Sequence, residues 1–266
     1  MANTATLDVA DGVATLTLNR PDQLNALSLE MMEDLAAATR ALKARTDVHV
    51  VVVTGAGAHF MAGGDLNDFA RQLGQSPQAR LATFKAMIAH HINPTVETLQ
   101  SLHQPVIAKV RGACAGFGLS LMLGCDLAIA ADDAVFTTAY AAIGLSADGG
   151  MSYFLPRAVG RRKALELLLL ADRFKAEEAL RLGLLSRVVP AGELDAAVDA
   201  LAARLKAGPR HAYGEFKRLI ADSDDHQLEA QLQSEAEAFA RCSATADFAE
   251  GVTAFLGKRK PGFQGR

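Results

Sequence analysis

Two glycine-rich runs and one aspartate are the residues best suited to chemistry in this chain. An apolar strand from Pro105 to Val110 passes through Gly112, Gly116 and Gly118 into an apolar segment that ends at Asp126 and holds one hydroxyl, Ser120. The first N–H groups of a helix have no partner inside it and carry partial positive charge, so such a turn can hold a negative oxygen. Glycines there also serve simply to let a helix pack closely on a sheet. A second glycine-rich run, Gly55 to Asp65, leaves another buried strand, which makes the pair harder to dismiss than either alone. Asp148, in Ser146-Ala-Asp148-Gly149-Gly150, is either a helix N-cap that accepts a backbone N–H or a functional carboxylate. His90 and His91 are neighbours on a helical stretch and diverge by about 100°, so they do not readily chelate one metal. No metal site is expected.

The elements that must position these residues follow from periodicity. Residues 5 to 9 and 14 to 20 alternate around Asp11-Gly12, a hairpin signal. Ser28 opens a helical period that runs to about Arg45, with Leu29, Met32, Leu35, Ala36 and Leu42 near one face. His49 to Thr54 is a continuous β-branched run, the pattern of a strand buried on both faces and parallel to its neighbours. Residues 66 to 73 and 77 to 103 read as helix, the second broken after Asn93 by Pro94. Short strands are expected at 127 to 130 and 135 to 137, and a helix after Gly150. From Gly160 helices dominate, at 161 to 170, 175 to 182, 193 to 206, 209 to 221, 226 to 240 and 244 to 256, with one strand at 186 to 189.

A chain of 266 residues, half of them apolar, can bury one large core. Its net charge of -3 supplies no basic field for nucleic acid, and the apolar stretch from Ala113 to Cys125 is shorter than a membrane span. Neither partner is expected. Three irregularly spaced cysteines suit reduced thiols in a cytoplasm, and Met1 to Thr6 lacks the pattern of a signal peptide.

Several ordered motifs then resemble one family across nearly the whole chain. Leu18 to Leu27, Phe60 to Leu66, Gly112 to Gly118, Gly144 to Asp148, Arg157 to Gly160, Ala179 to Val189 and Phe255 to Lys260 are similar to the enoyl-CoA hydratase/isomerase, or crotonase, superfamily. The resemblance implies an α/β fold, a spiral of ββα units over residues 1–200, and a C-terminal helical oligomerisation region over 201–266. It implies an acyl-CoA thioester substrate, no separate cofactor because coenzyme A belongs to the substrate, and a homotrimer or a dimer of trimers.

By matching motifs, the backbone N–H groups of Gly64 and Phe117 stabilise an enolate-like thioester oxygen. Ala62, Asp65, Leu66, Asn67 and Tyr140 fall in the substrate- and CoA-binding set, and Phe255 and Lys258 match positions that reach a CoA held by the neighbouring subunit. The two glutamates with which hydratases of the family position water are matched here by Ser120 and Tyr140, which cannot serve as carboxylate bases. Asp148 matches the functional aspartate of the ring-modifying isomerases and the 4-chlorobenzoyl-CoA dehalogenases. The dehalogenases' histidine and tryptophan are replaced by Asn93 and Tyr140. The expectation is therefore an enoyl-CoA isomerase with Asp148 as base. The alternatives are a divergent hydratase or thioester hydrolase in which Asp148 activates water, and a noncatalytic acyl-CoA-binding protein.

Overall fold

Asp11 and Gly12 both have positive φ, 48° and 74°, and join β1 (Ala5–Ala10) to β2 (Val13–Leu18) in the antiparallel hairpin their types predict. In the computed structural model, which describes residues 3–265, alternation becomes burial: Ala14, Leu16 and Leu18 face the core. Met1, Ala2 and Arg266, which belong to the N-terminal stretch and the helical region discussed above, lie outside the described residues. The Ser28 hydroxyl accepts the Met31 N–H at 3.2 Å and starts α1 (Leu29–Lys43), which turns Met31, Met32, Leu35 and Leu42 inward. β3 (Val50–Gly55) is buried at all six residues and runs parallel between β2 and β4 (Val106–Val110), as its unbroken apolar run requires.

From β3 onward each turn of the chain contributes to two sheets. Met61, just after β3, makes a parallel bridge to Cys114 in β5 (Ala113–Ala115), and β5 itself follows β4. β6 (Leu127–Ala131) is likewise followed by β7 (Val135–Thr137). The two-residue β8 (Phe174–Lys175) joins β5 and β7 in a three-stranded sheet, and β9 (Arg187–Val189) completes a six-stranded sheet ordered β1-β2-β3-β4-β6-β9. This is the α/β spiral that the family resemblance implies.

The helical stretch before β4 departs from expectation. α2 (Leu66–Arg71) is followed by α3 (Pro77–Met87), a π-helical turn at Ile88–Ile92, and α4 (Asn93–Gln100). Pro94 therefore does not break the run. The wider turn lets the Asn93 N–H reach the Ile88 carbonyl, and the proline falls in the first turn of α4, where a missing N–H costs little. α3 buries none of its side chains, whereas α4 buries Thr95 and Leu99. His90 and His91 lie in the π turn, exposed and half-buried respectively.

α5 (Phe117–Leu123) leaves the first glycine run, and α6 (Met151–Leu170) starts after Gly150 and is interrupted at Gly160. α7 (Ala176–Arg181) leads to β9. α8 (Leu194–Lys206) lays Leu194, Val198 and Ala202 on the outer face of the large sheet, against Val50, Val52, Ile107 and Ile129. Residue 200 lies inside that helix. α9 (Arg210–Ser223), α10 (Leu228–Ser243) and α11 (Ala246–Leu256) follow, with Phe216, Ile220, Phe239 and Phe255 exposed on them. No described helix is long and apolar enough to cross a membrane.

Candidate active site

The loop after β3 is held from the N-terminal side. Asn25 is buried with φ 54°; its side chain accepts the Arg20 N–H at 2.9 Å and donates to the carbonyls of Ala56 (3.0 Å) and His59 (2.8 Å). The Arg20 guanidinium donates to the Ala26 carbonyl and, at 2.8 Å, to the buried Asp65 carboxylate. Leu27 then bridges Gly64: the Leu27 N–H donates to the Gly63 carbonyl (2.7 Å) and the Asp65 N–H to the Leu27 carbonyl (3.0 Å). Extended backbone points alternate residues to opposite sides, so with Gly63 and Asp65 committed to Leu27 the Gly64 N–H faces the other way. Among the described residues it has no acceptor.

The second donor arises at α5. Gly116 has φ 51° and ψ -124°, a conformation glycine adopts without strain, and its carbonyl accepts the N–H groups of Leu119 (3.0 Å) and Ser120 (3.1 Å). Phe117, the first residue of that short helix, keeps its N–H without an acceptor among the described residues. The two loops meet backbone to backbone, since a Cβ on Gly116 would lie 3.4 Å from the Gly63 Cα. Gly64 and Phe117 thereby line one cavity of about 400 Å³.

Its walls are apolar. Phe69 and Phe84 meet edge to face at 5.1 Å between ring centroids, and Met87, Ile88, Ile143 and Leu145 extend the same surface. Among the residues lining the cavity Asp148 is the one carboxylate, with no histidine, lysine, arginine or cysteine beside it. The Tyr140 hydroxyl donates to Asp148 Oδ1 at 2.7 Å, the Tyr140 and Ser120 oxygens are 2.9 Å apart, and the Ser120 hydroxyl donates to the Asp148 main-chain carbonyl at 2.9 Å. Burial pushes the Asp148 carboxyl above the usual carboxylate range, while the Tyr140 hydroxyl opposes that rise by solvating the charged form. Burial, and then the Asp148 charge, push the Tyr140 phenol up, so it stays protonated as a donor. An arrangement of two free N–H donors and one half-buried base can stabilise an oxyanion and move a proton in the same cavity.

The remaining predicted residues divide. Ala62, Leu66 and Tyr140 line the cavity with Gly64, Phe117 and Asp148. The Asp65 side chain is occupied with Arg20 and with the Asn67 N–H (2.9 Å), which caps α2, and Asn67 itself is exposed. Phe255 lines a separate groove among the C-terminal helices with Phe248 and Phe263, and Lys258 follows α11, so neither reaches this cavity within one subunit. The N-cap of α6 is Gly150 and no side chain caps it, so Asp148 does not spend its carboxylate there. What sequence reasoning misses is the Ser120–Tyr140–Asp148 contact. The available signal is the lone hydroxyl, Ser120, one helical turn beyond Gly116 in an otherwise apolar segment.

The family model described as enoyl-CoA hydratase/isomerase matches residues 8–266. The chain is 37% identical over 264 residues to a probable enoyl-CoA hydratase from Rhodobacter capsulatus, covering 99% of each. It is 37% identical over 258 residues to the 1,2-epoxyphenylacetyl-CoA isomerase of Escherichia coli, covering 97% of each. A crystal structure of a putative enoyl-CoA hydratase/isomerase from Mycobacterium abscessus superposes with a TM-score of 0.93 at 37% identity, over 98% of this chain and 100% of that one.

Proposed function

The chain belongs to the enoyl-CoA hydratase/isomerase family, and from that premise we propose that it is an acyl-CoA isomerase that shifts a double bond with Asp148 as the proton carrier. The observation that carries this reading is the single carboxylate in an otherwise apolar, glycine-lined cavity. Hydration by paired carboxylates needs a second acid-base group, and the positions matched to it hold Ser120 and Tyr140, both turned to Asp148.

Asp148 removes a proton from C2 of a 3-enoyl thioester. The C2–H electron pair flows toward the thioester carbonyl, and the resulting oxyanion accepts hydrogen bonds from the Gly64 and Phe117 N–H groups. Each such donor is worth about 3 kcal/mol at the transition state. The dienolate then takes the proton back at C4, which moves the double bond to C2–C3 and restores the carboxylate. A carboxyl raised by burial suits both halves of that transfer better than a fully solvated one. The test is conversion of 3-enoyl-CoA to 2-enoyl-CoA by wild type and by Asp148→Asn. The expected result is turnover that the substitution lowers by a factor of about a hundred or more. Undiminished turnover in the variant removes Asp148 from the role, and hydration of crotonyl-CoA without isomerisation overturns the reaction.

A further inference from the structure

Resting on Asp148 as the base, we infer that Tyr140 and Ser120 are positioning residues that divide the two carboxylate oxygens, tying Oδ1 down so that Oδ2 alone carries the substrate proton. Oδ1 takes the Tyr140 hydroxyl, whereas no side chain of a described residue hydrogen-bonds Oδ2, and Asp148 is itself part of the cavity lining. Ser120 is fully buried on α5 and touches both the Tyr140 oxygen and the Asp148 main-chain carbonyl. Its one proton goes to the Asp148 carbonyl and the phenol's goes to Oδ1, so Ser120 holds the aspartate backbone by a hydrogen bond and the phenol oxygen by contact. The Met151 N–H donates to that same carbonyl at 3.1 Å, so the Asp148 peptide is held at the start of α6 as well.

The chemistry of a carrier requires such a clamp. A base that only removes a proton benefits from being strong, but a base that must also return it must not hold it too tightly. The Tyr140 hydroxyl weakens the half-buried carboxylate as a base while leaving Oδ2 without a side-chain partner. It also donates to Oδ1 in both protonation states, because Oδ1 remains an acceptor when Oδ2 carries the proton. The carboxyl group therefore need not rotate between taking the proton at C2 and giving it at C4. Proton balance is unchanged: one proton moves from C2 to Oδ2 and from Oδ2 to C4, and neither hydroxyl is consumed. Apart from the Tyr140 phenol, which burial pushes up so that it stays protonated, no other charged or titratable side chain lines the cavity, so a shift in pH response reports on the Asp148 carboxyl.

The experiment compares wild type with Tyr140→Phe and Ser120→Ala on a 3-enoyl-CoA deuterated at C2. Expected for Tyr140→Phe are a kcat about ten- to a hundredfold lower at nearly constant KM, an acidic limb of kcat/KM moved to higher pH, and less deuterium recovered at C4 because water takes the phenol's place at Oδ1. Ser120→Ala changes the same three quantities in the same directions by less. Circular dichroism and Tm confirm that each variant is folded; if Tyr140→Phe fails this check, Ser120→Ala decides the matter. A folded variant with unaltered pH limb and unaltered deuterium recovery overturns the clamp. If Asp148→Asn is fully active, the base assignment itself falls; if Asp148→Asn is inactive and Tyr140→Phe is normal, only the clamp falls.

Discussion

The edge of the Phe117 ring lies on the backbone of Gly149, so closely that a Cβ on Gly149 would sit 2.6 Å from the ring carbon Cδ2 and 3.1 Å from the Ser120 Cβ. One residue thus supplies a cavity-facing N–H through its backbone and, through its side chain, sets the height of the loop that carries Asp148. Phe117 is 3% exposed and Gly149 has φ 59°, so the position opposite the ring is closed to larger residues by contact and by backbone conformation together.

Gly149→Ala is expected to lift Asp148 from its contact with Tyr140 and to lower kcat/KM about tenfold or more, with a reduced Tm. Phe117→Leu combined with Gly149→Ala relieves the contact and recovers part of the activity. Steady-state kinetics of the single and double variants check this. Normal kinetics in Gly149→Ala rules out the coupling.

Asp148 has a pH-dependent cost. Burial holds its native carboxyl above the ordinary value, so between those two values the native state binds more protons than the unfolded chain. Stability from this group is therefore greatest at low pH and falls as pH rises through the raised value. Asp148→Asn removes the charge that burial penalises and is expected to melt at a higher temperature than wild type at pH 8, with the difference closing at about pH 4. In a chain this long 1 kcal/mol corresponds to about 2–4 °C. Thermal melts across that range decide it, and a difference that grows toward acid contradicts the assigned sign.

Arg20→Met leaves the Asp65 carboxylate, 6% exposed, without its cation and removes the donor to the Ala26 carbonyl. Removing the charged partner of this partly buried pair costs about 1–3 kcal/mol. Because Asp65 follows Gly64 and shares the Leu27 bridge, kcat/KM falls as well. Adding Asp65→Asn is expected to restore stability in part, as measured by urea unfolding. A lone Arg20→Met variant of normal stability and activity contradicts the role of this pair in holding the Gly64 loop.

Elements are legible in the sequence where periodicity and local chemistry agree. The hairpin at Asp11-Gly12, α1 behind Ser28 and the wholly buried β3 are of this kind. β5 and β8, of three and two residues, carry no pattern of their own and exist through pairing with β7. The glycines of both loops announce a close backbone approach. Which N–H groups stay free depends on the bridge from Leu27 to Gly64, a tertiary contact without a sequence signature. Ser120 and Tyr140 are twenty residues apart and read as missing carboxylates, whereas their partnership with Asp148 emerges only once α5 and the start of α6 are folded against each other.

The π turn at Ile88–Ile92 has a consequence for how the cavity can change. Its extra residue resets the rotation of the helix, so the side that Phe84 and Met87 present to the cavity and the side that Thr95 and Leu99 bury in the core are set independently. α3 has no fully buried side chain, and its contact with the core is made by the partly buried Met87 at its end. Substitutions along α3 before Met87 can therefore reshape the cavity wall while α4 keeps its seat, so the shape of the cavity can drift at little expense to folding.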